Sequence, residues 1–496
     1  MRCPLIAIVL CLFTFGSSPA ASPPRPNILW FIVDDMSPHF SCYGEKTIST
    51  PNVDRLAAEG VRFTQAHVTA PVCSPCRSAL ITGMYQTSIG AHHHRSGRGS
   101  VHLSLPAGVE PVPVLFQRAG YFTCIGNGQP GKRDERGKTD YNFDWDPAIY
   151  DSGDWAGRKE GQPFFMQVQL PGGKLRGDTA ETAEKLSARA ARELGTSTAP
   201  DTVSLPPYYP RDPVLLQDWA AYLDAVRLTD QHVGQVLERL KQEGILENTL
   251  ILFMSDHGIS HARGKQFLHD EGTHVPFILR GPGVPRNVVR TDLVSANIDA
   301  PALSLAAAGL PLPDKMQGRD LLAPDYARRR AIFAARARCD ETVDGIRSVR
   351  TARWKYIRNF YPDRPLLQPN VYKDQKSILQ TLRRLHETGK LSGLQDRLLF
   401  APTRSAEELY DLSADPDELT NLAARPDQEK TLLRLRAQLD RWMDDTKDAG
   451  REPEPAATYD SDMAAAGGRK PNQDDLQANI ELMKRWATER PLKVHP

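Results

Sequence analysis

The sequence predicts an α/β fold built on an open sheet, and three observations carry that prediction. Apolar runs of strand length recur at residues 27–33, 163–170, 249–254 and 276–279. Polar segments follow directly at their C-terminal ends, and a long amphipathic helix separates two of them. In such sheets ligands bind beyond the carboxyl ends of the strands, so the strand exits are where chemistry is expected.

The first run, Asn27 to Val33, is apolar throughout and stops at Asp34-Asp35, as expected of a buried parallel strand that delivers two carboxylates. Residues 52–60 read as a short helix with Leu56 and Ala57 inward. Cys73 to Gly83 reads as a loop entering a helix, because Pro75 suits a first turn and Arg77 to Ile81 has helical composition. A long helix is predicted from Pro213 to Gln242, with Trp219, Leu223, Val226, Val233, Leu237 and Leu240 spaced near one turn apart. Gly244 ends it, and the strand from Thr249 exits at Ser255-Asp256-His257-Gly258. After residue 325 the texture changes: 347–358 alternates like strand material, 361–400 reads as a proline-bearing loop plus a helix, and a helix is predicted over 428–442. Residues 449–475 read as irregular and 474–489 as an amphipathic helix. The domain boundaries that follow are 25–325 for a catalytic domain, 326–448 for a smaller C-terminal domain and 449–496 for a polar tail with a terminal helix.

Of the 496 residues, 40% are hydrophobic and 25% charged, which excludes a mainly disordered chain. The formal net charge is +1, so there is no basic stripe of the kind that nucleic-acid binding needs. Arg2, the apolar run Leu5 to Phe15 and the small residues up to Ala21 read as a secretory signal over residues 1–20, which places the mature protein in the periplasm or outside the cell. No later segment is apolar enough to span a bilayer. Beyond Cys3 and Cys11 of the signal, the cysteines are Cys42, Cys73, Cys76, Cys124 and Cys339, an odd set that matches no disulfide framework or zinc site.

Asp34-Asp35 and Asp256-His257 close two strands far apart in sequence. If those strands are neighbours, three carboxylates and an imidazole converge on a hard cation; the alternative is surface capping by aspartates. Cys73-Ser-Pro-Cys-Arg77 admits a redox pair, a loop disulfide, buried thiols or a nucleophile beside Arg77. Lys138, Lys265, His269, His92, His93 and His94 are candidate donors to an oxyanion or its leaving group.

Several blocks resemble the formylglycine-dependent sulfatases of the alkaline phosphatase superfamily. They are Pro26-Asn27-Ile28 through Asp35, Thr50-Pro51-Asn52 through Ala57, Cys73-Ser-Pro-Cys-Arg77 through Gly83, Ser255-Asp256-His257-Gly258, Lys265, Asp270 through Pro276, Asp299 with Gly318-Arg319, and Glu408 through Leu412 with Asn421-Leu422. They run in order across residues 26–425. The resemblance implies an alkaline-phosphatase-like large mixed sheet flanked by helices, with a smaller domain containing an antiparallel sheet. It also implies that Cys73 is oxidised to formylglycine by a maturation enzyme. As its hydrate, that residue offers one hydroxyl to attack sulfur and a second that allows sulfate to be expelled. By the same resemblance Asp34, Asp35, Asp256, His257 and the modified Cys73 hold one divalent ion, usually calcium. Arg77 steadies the nucleophile and Lys265 contacts the sulfate.

The departures matter as well. The family's Gly-Lys-Trp-His stretch after Gly-Tyr is missing after Gly120-Tyr121, so Lys138, with Lys132 second, is the substitute for its lysine. Pro171-Gly-Gly-Lys174 replaces a proline-histidine segment, which leaves Lys174 as a sulfate donor and His92 or His94 as the source of an imidazole. The implied reaction is hydrolysis of a sulfate ester on a sulfated sugar or polysaccharide. The rivals are a phosphoester or phosphonate hydrolase of the same superfamily and a non-catalytic binder of anionic glycans.

Overall fold

The computed structural model describes residues 25–131, 134–467 and 472–492; the signal segment and Lys132 lie outside these. Seven strands form one sheet: β1 (Asn27–Val33), β2 (Val61–His67), β3 (Phe122–Gly126), β4 (Phe164–Leu170), β5 (Thr249–Ser255), β6 (Phe277–Arg280) and β7 (Val288–Ser295). Their order is β3-β4-β1-β5-β6-β2-β7. The sheet is mixed because β6 runs antiparallel to both its neighbours while every other pairing is parallel.

All seven residues of β1 are buried, and its period of two divides them between two cores. Leu29, Phe31 and Val33 join the long helix Pro213–Gln242 on one face. Ile28, Trp30 and Ile32 join the helices Cys73–Thr82 and Ala296–Ala307 on the other. Helices on both faces are what a parallel sheet needs to bury its two apolar sides.

A second, antiparallel sheet follows, with β8 (Ile332–Arg336), β9 (Ile346–Arg350), β10 (Trp354–Asn359) and β11 (Glu407–Asp411) in the order β11-β10-β9-β8. The alternating stretch 347–358 is thus a hairpin, turned at Thr351–Arg353. One face of this sheet packs on the helix Glu429–Asp445 and, through Ala79 and Ile298, on the helices Cys73–Thr82 and Ala296–Ala307.

Two sequence expectations fail here. The stretch 361–400 holds three helices rather than one, Val371–Asp374, Ser377–Glu387 and Gly393–Phe400. The tail read as irregular contains the helix Ala456–Ala466, whose run of alanines and polar residues carries almost no apolar stripe. That helix and the terminal one, Gln473–Glu489, bury Tyr459, Met463, Leu476 and Met483 against Val371 of the same chain. Among the described residues no helix is long and apolar enough to cross a membrane.

Candidate active site

The register of the large sheet builds the site. β1 lies between β4 and β5, with Val33 opposite Leu170 on one side and Ser255 on the other. All three strands run the same way, so Asp34-Asp35, Pro171 to Lys174 and Asp256-His257 leave the sheet side by side. The β4 exit approaches very closely. The Gly173 N–H donates to the Asp34 carbonyl at 2.9 Å, and a Cβ on Gly173 would stand 2.2 Å from the Asp35 carbonyl oxygen. Asp35 itself takes a left-handed backbone (φ 54°), uncommon outside glycine and found where structure is over-determined.

Cys73 is the first residue of the helix Cys73–Thr82, every residue of which is buried. A helix start offers unpaired N–H groups and a positive dipole end to an anion. Arg77 follows one turn later and so lies on the same helix face. Its Nε donates to Asp256 Oδ2 at 3.1 Å, Nη2 to Asp34 Oδ1, and Nη1 to Gln169 Oε1 at 2.5 Å.

Three lysines close on the same point. Lys265 Nζ lies 3.2 Å from both Asp35 Oδ1 and Cys73 Sγ. Lys174 Nζ donates to Asp34 and lies 3.8 Å from Cys73 Sγ. Lys138 Nζ reaches Asp34 Oδ2 at 3.1 Å. Burial alone would raise the pKa of Asp34, but Arg77, Lys138 and Lys174 outweigh it and hold that carboxyl well below its ordinary range. Burial would likewise raise the Cys73 thiol, yet Lys138, Lys174, Lys265 and His257 bring it down to about 6. Cys76, three residues along, has its thiol pushed well up by burial and Asp256. Both cysteines are free, as are the other described ones, so the loop-disulfide reading is wrong for this fold.

His257 Nε2 stands 3.2 Å from Cys73 Sγ and from Asp35 Oδ1. Its Nδ1 lies 2.9 Å from the Gly258 carbonyl, which only accepts, so Nδ1 is a donor and Nε2 is the ring nitrogen turned toward the cluster. Asp34, Asp35 and Asp256 are all buried, a cost that only cations offset. Three carboxylates and one imidazole nitrogen are a donor set that suits a hard divalent ion. By donor type these residues fit a hard divalent ion, and Asp35, His257 and Cys73 offer ligand atoms within 4.8 Å of one another.

The two histidine candidates part company. One ligand atom each from His94, Cys73 and Asp140 lie within 4.8 Å of one another. His94 Nδ1 is 3.4 Å from Asp340 Oδ1, and its buried Nε2 has no hydrogen-bond partner. His92 is not brought to this cluster: its ring lies against that of His93, tilted 48° to it with centroids 4.2 Å apart, and it packs near Gly450. Sequence reasoning missed Tyr372, whose hydroxyl lies 3.3 Å from Asp35 Oδ2 and from Lys265 Nζ. It also missed Gln169 and Asp140, whose carboxylate lies 3.5 Å from Lys138. Gln169 alternates with the inward residues of β4 and could have been found as a polar residue at a strand end.

The Sulfatase family model matches residues 26–310, which include both carboxylate exits, Cys73 and all three lysines. The chain belongs to the sulfatase family. An ulvan-active sulfatase of Formosa agariphila is 33% identical over 471 residues, spanning 87% of this chain and 77% of the relative. Among solved structures, one in complex with its substrate D-glucosamine-2-N,6-O-disulfate superposes with a TM-score of 0.59 at 19% identity, covering 86% of this chain and 98% of the other. A phosphonate monoester hydrolase from Silicibacter pomeroyi superposes at 0.56 with 18% identity, covering 86% and 96%. At these identities the structures share the fold of this sulfatase and no more. The mixed sheet and smaller antiparallel sheet are those of alkaline-phosphatase-like sulfatases.

Proposed function

We propose that this sulfatase hydrolyses sulfate esters on an exported route, on a sulfated sugar or polysaccharide, with formylglycine made from Cys73 and one divalent ion, calcium. The observation that carries this reading is the convergence of Lys265, Lys174 and His257 on Cys73 Sγ at 3.2, 3.8 and 3.2 Å, above three buried carboxylates. The sugar is supported by the ulvan-active relative and by the neighbour whose substrate is a disulfated glucosamine. Export is supported by the apolar N-terminal run ending in small residues.

Asp34, Asp35, Asp256 and His257 would hold the ion beside the side chain of residue 73. Such an ion supplies Lewis acidity, neutralising sulfate charge and lowering the pKa of a bound hydroxyl. An aldehyde hydrate at position 73 supplies one hydroxyl for attack on sulfur and a second for release of sulfate. The chain's own groups do the rest. Lys265 and Lys174 stay charged and present donors to the sulfate oxygens, where charge must be met as the ester oxygen leaves. Arg77 bridges Asp34 and Asp256 and fixes the nucleophile's helix to the carboxylates. Tyr372 holds Lys265 and Asp35 in place. His94 enters as the group that meets the sugar side of the ester. Burial pushes its pKa to about 4 against the pull of Asp340, so at neutral pH it is an acceptor that orients a substrate hydroxyl.

Mass spectrometry of the tryptic peptide containing Cys73, from natively expressed protein, tests the proposal together with sulfate release from sulfated oligosaccharides. The aldehyde mass and released sulfate are expected. An unmodified thiol in active protein would overturn the formylglycine mechanism, and turnover of phosphonate esters alone would overturn the sulfate assignment.

A further inference from the structure

Near Cys73, which lies within ligand distance of His94 and Asp140, two clefts meet at Arg98. One of about 250 Å³ is lined by His94, Arg95, Arg338, Asp340 and the helix Ala456–Ala466, and one of about 550 Å³ lies open between residues 96–98 and 137–145. The loop 94–101 is anchored at both ends. Ser74 Oγ, next to the nucleophile, accepts the Arg95 backbone N–H at 2.9 Å. Asp462 and Ser461 of the helix Ala456–Ala466 accept the backbone N–H groups of Arg98 and Val101 at 3.2 and 3.0 Å.

Acids and bases are sorted across these walls. Asp140 pairs with Arg98 and Lys138, Asp340 with His94 and Arg95, and Asp462 with Arg338. Glu341 accepts the Val371 N–H and the Asn479 amide. Those four carboxylates are at most 8% exposed, whereas the Arg95 and Arg98 side chains are 50% and 34% exposed. The acids are turned inward and satisfied, and the guanidinium groups remain at the surface of the cavities. Each has five N–H donors in a planar fork that suits a carboxylate or sulfate bidentately. Tyr141 and Phe143, stacked within 3° of parallel, and Trp145 edge-on to Tyr141 give the larger cavity an apolar wall. On the reading above Lys174 and Lys265 meet the scissile sulfate, which leaves these arginines to another group.

We propose that Arg95 and Arg98 bind a second anionic group of the substrate, a carboxylate or another sulfate on the same or the adjoining sugar. The site then selects polyanionic glycans over singly sulfated ones. This rests on the sulfated-sugar reading above and adds the second anion to it.

The test uses the full chain carrying Cys73→Ser, which binds without turnover, with and without Arg95→Ala plus Arg98→Ala. The probe is a heparin-type tetrasaccharide, titrated calorimetrically at two salt concentrations, and again after its carboxylates are reduced to alcohols. At least a tenfold loss of affinity is expected from the double variant, with a shallower salt dependence. Arg98→Lys should restore part of it, which a misfolded loop would not allow. If carboxyl reduction of the glycan mimics the double variant, the second anion is a carboxylate; if not, it is a sulfate. Equal affinity in parent and double variant, or no binding by the parent, overturns the proposal. Sulfate release by the unsubstituted enzyme from 4-nitrophenyl sulfate is measured in parallel. Its absence strikes the sulfatase mechanism, while its presence with unchanged glycan affinity strikes the second-anion site alone.

Discussion

Arg77 sets three donors on three different acceptors, Asp256, Asp34 and Gln169, from one planar group. A lysine carries the charge but not the fork. Arg77→Lys is therefore expected to lower the rate of sulfate release by about 10²-fold, the cost of losing one well-placed electrostatic contact, with kcat affected more than KM. Steady-state kinetics on an aryl sulfate would show it. Away from Cys73, burial pushes Glu271 up to about 7, against Arg263 and the hydroxyls of Tyr208 and Tyr209. A carboxyl whose folded pKa lies above its ordinary 4.5 stabilises the fold most below that value and loses the contribution as pH rises through 7. The span is on the order of 3 kcal/mol. Glu271→Gln should thus gain thermal stability relative to the parent at pH 8 compared with pH 5. A melting-temperature difference that does not change between the two pH values would contradict this.

Strand β1 is where packing and chemistry are joined, because the residues that fill two cores also aim Asp34 and Asp35. Phe31 packs against Phe253 of the adjoining strand, with ring centroids 6.3 Å apart, and is fully buried. Phe31→Ala is expected to cost about 3–5 kcal/mol of stability, read as a shift of the denaturant midpoint. At the β4 exit the limit is steric. Gly173→Ala would drive a methyl into the Asp35 carbonyl, which is backbone and cannot swing aside. That variant should fold with Lys174 displaced and release sulfate at least tenfold more slowly, whereas replacing Gly389, with open space around its Cβ position, tests only its left-handed backbone. Much of this was legible beforehand. The apolar runs ending in Asp34-Asp35 and Asp256-His257 announce buried strands with polar exits, and Cys73 to Arg77 announces a helix start. What no local pattern contains is that β1 sits between β4 and β5. Only that register turns three separate exits into one site.

Across the whole molecule, the least legible part of the site is the one furthest along the chain. Tyr372 comes 337 residues after Asp35, from a four-residue helix with no periodicity to betray it. The helix Ala456–Ala466 that braces the neighbouring Val371 was hidden by its small and polar residues. Lys174 could be nominated only because a family pattern was broken around it, and the same break set Lys138 above the other loop lysines. The same distribution of charge makes a prediction about metal. In the chain alone, Arg77, Lys138, Lys174 and Lys265 compensate the buried carboxylates. Calcium added to chelator-treated protein should still raise the melting temperature, since a ligand at 100 times its Kd stabilises by about 2.7 kcal/mol. A chelator should reverse the shift, and scanning calorimetry that shows neither change would remove the ion from the site.

The order of strands also keeps time. Asn27 pairs with Thr249, 222 residues later, and the helix beginning at Cys73 is sealed when that sheet closes. During synthesis the thiol therefore stays within reach until β5 has emerged and docked, and afterwards it does not. If Cys73 is converted as proposed, the enzyme that converts it works against a deadline set by folding. A variant that folded faster would have less time to be armed.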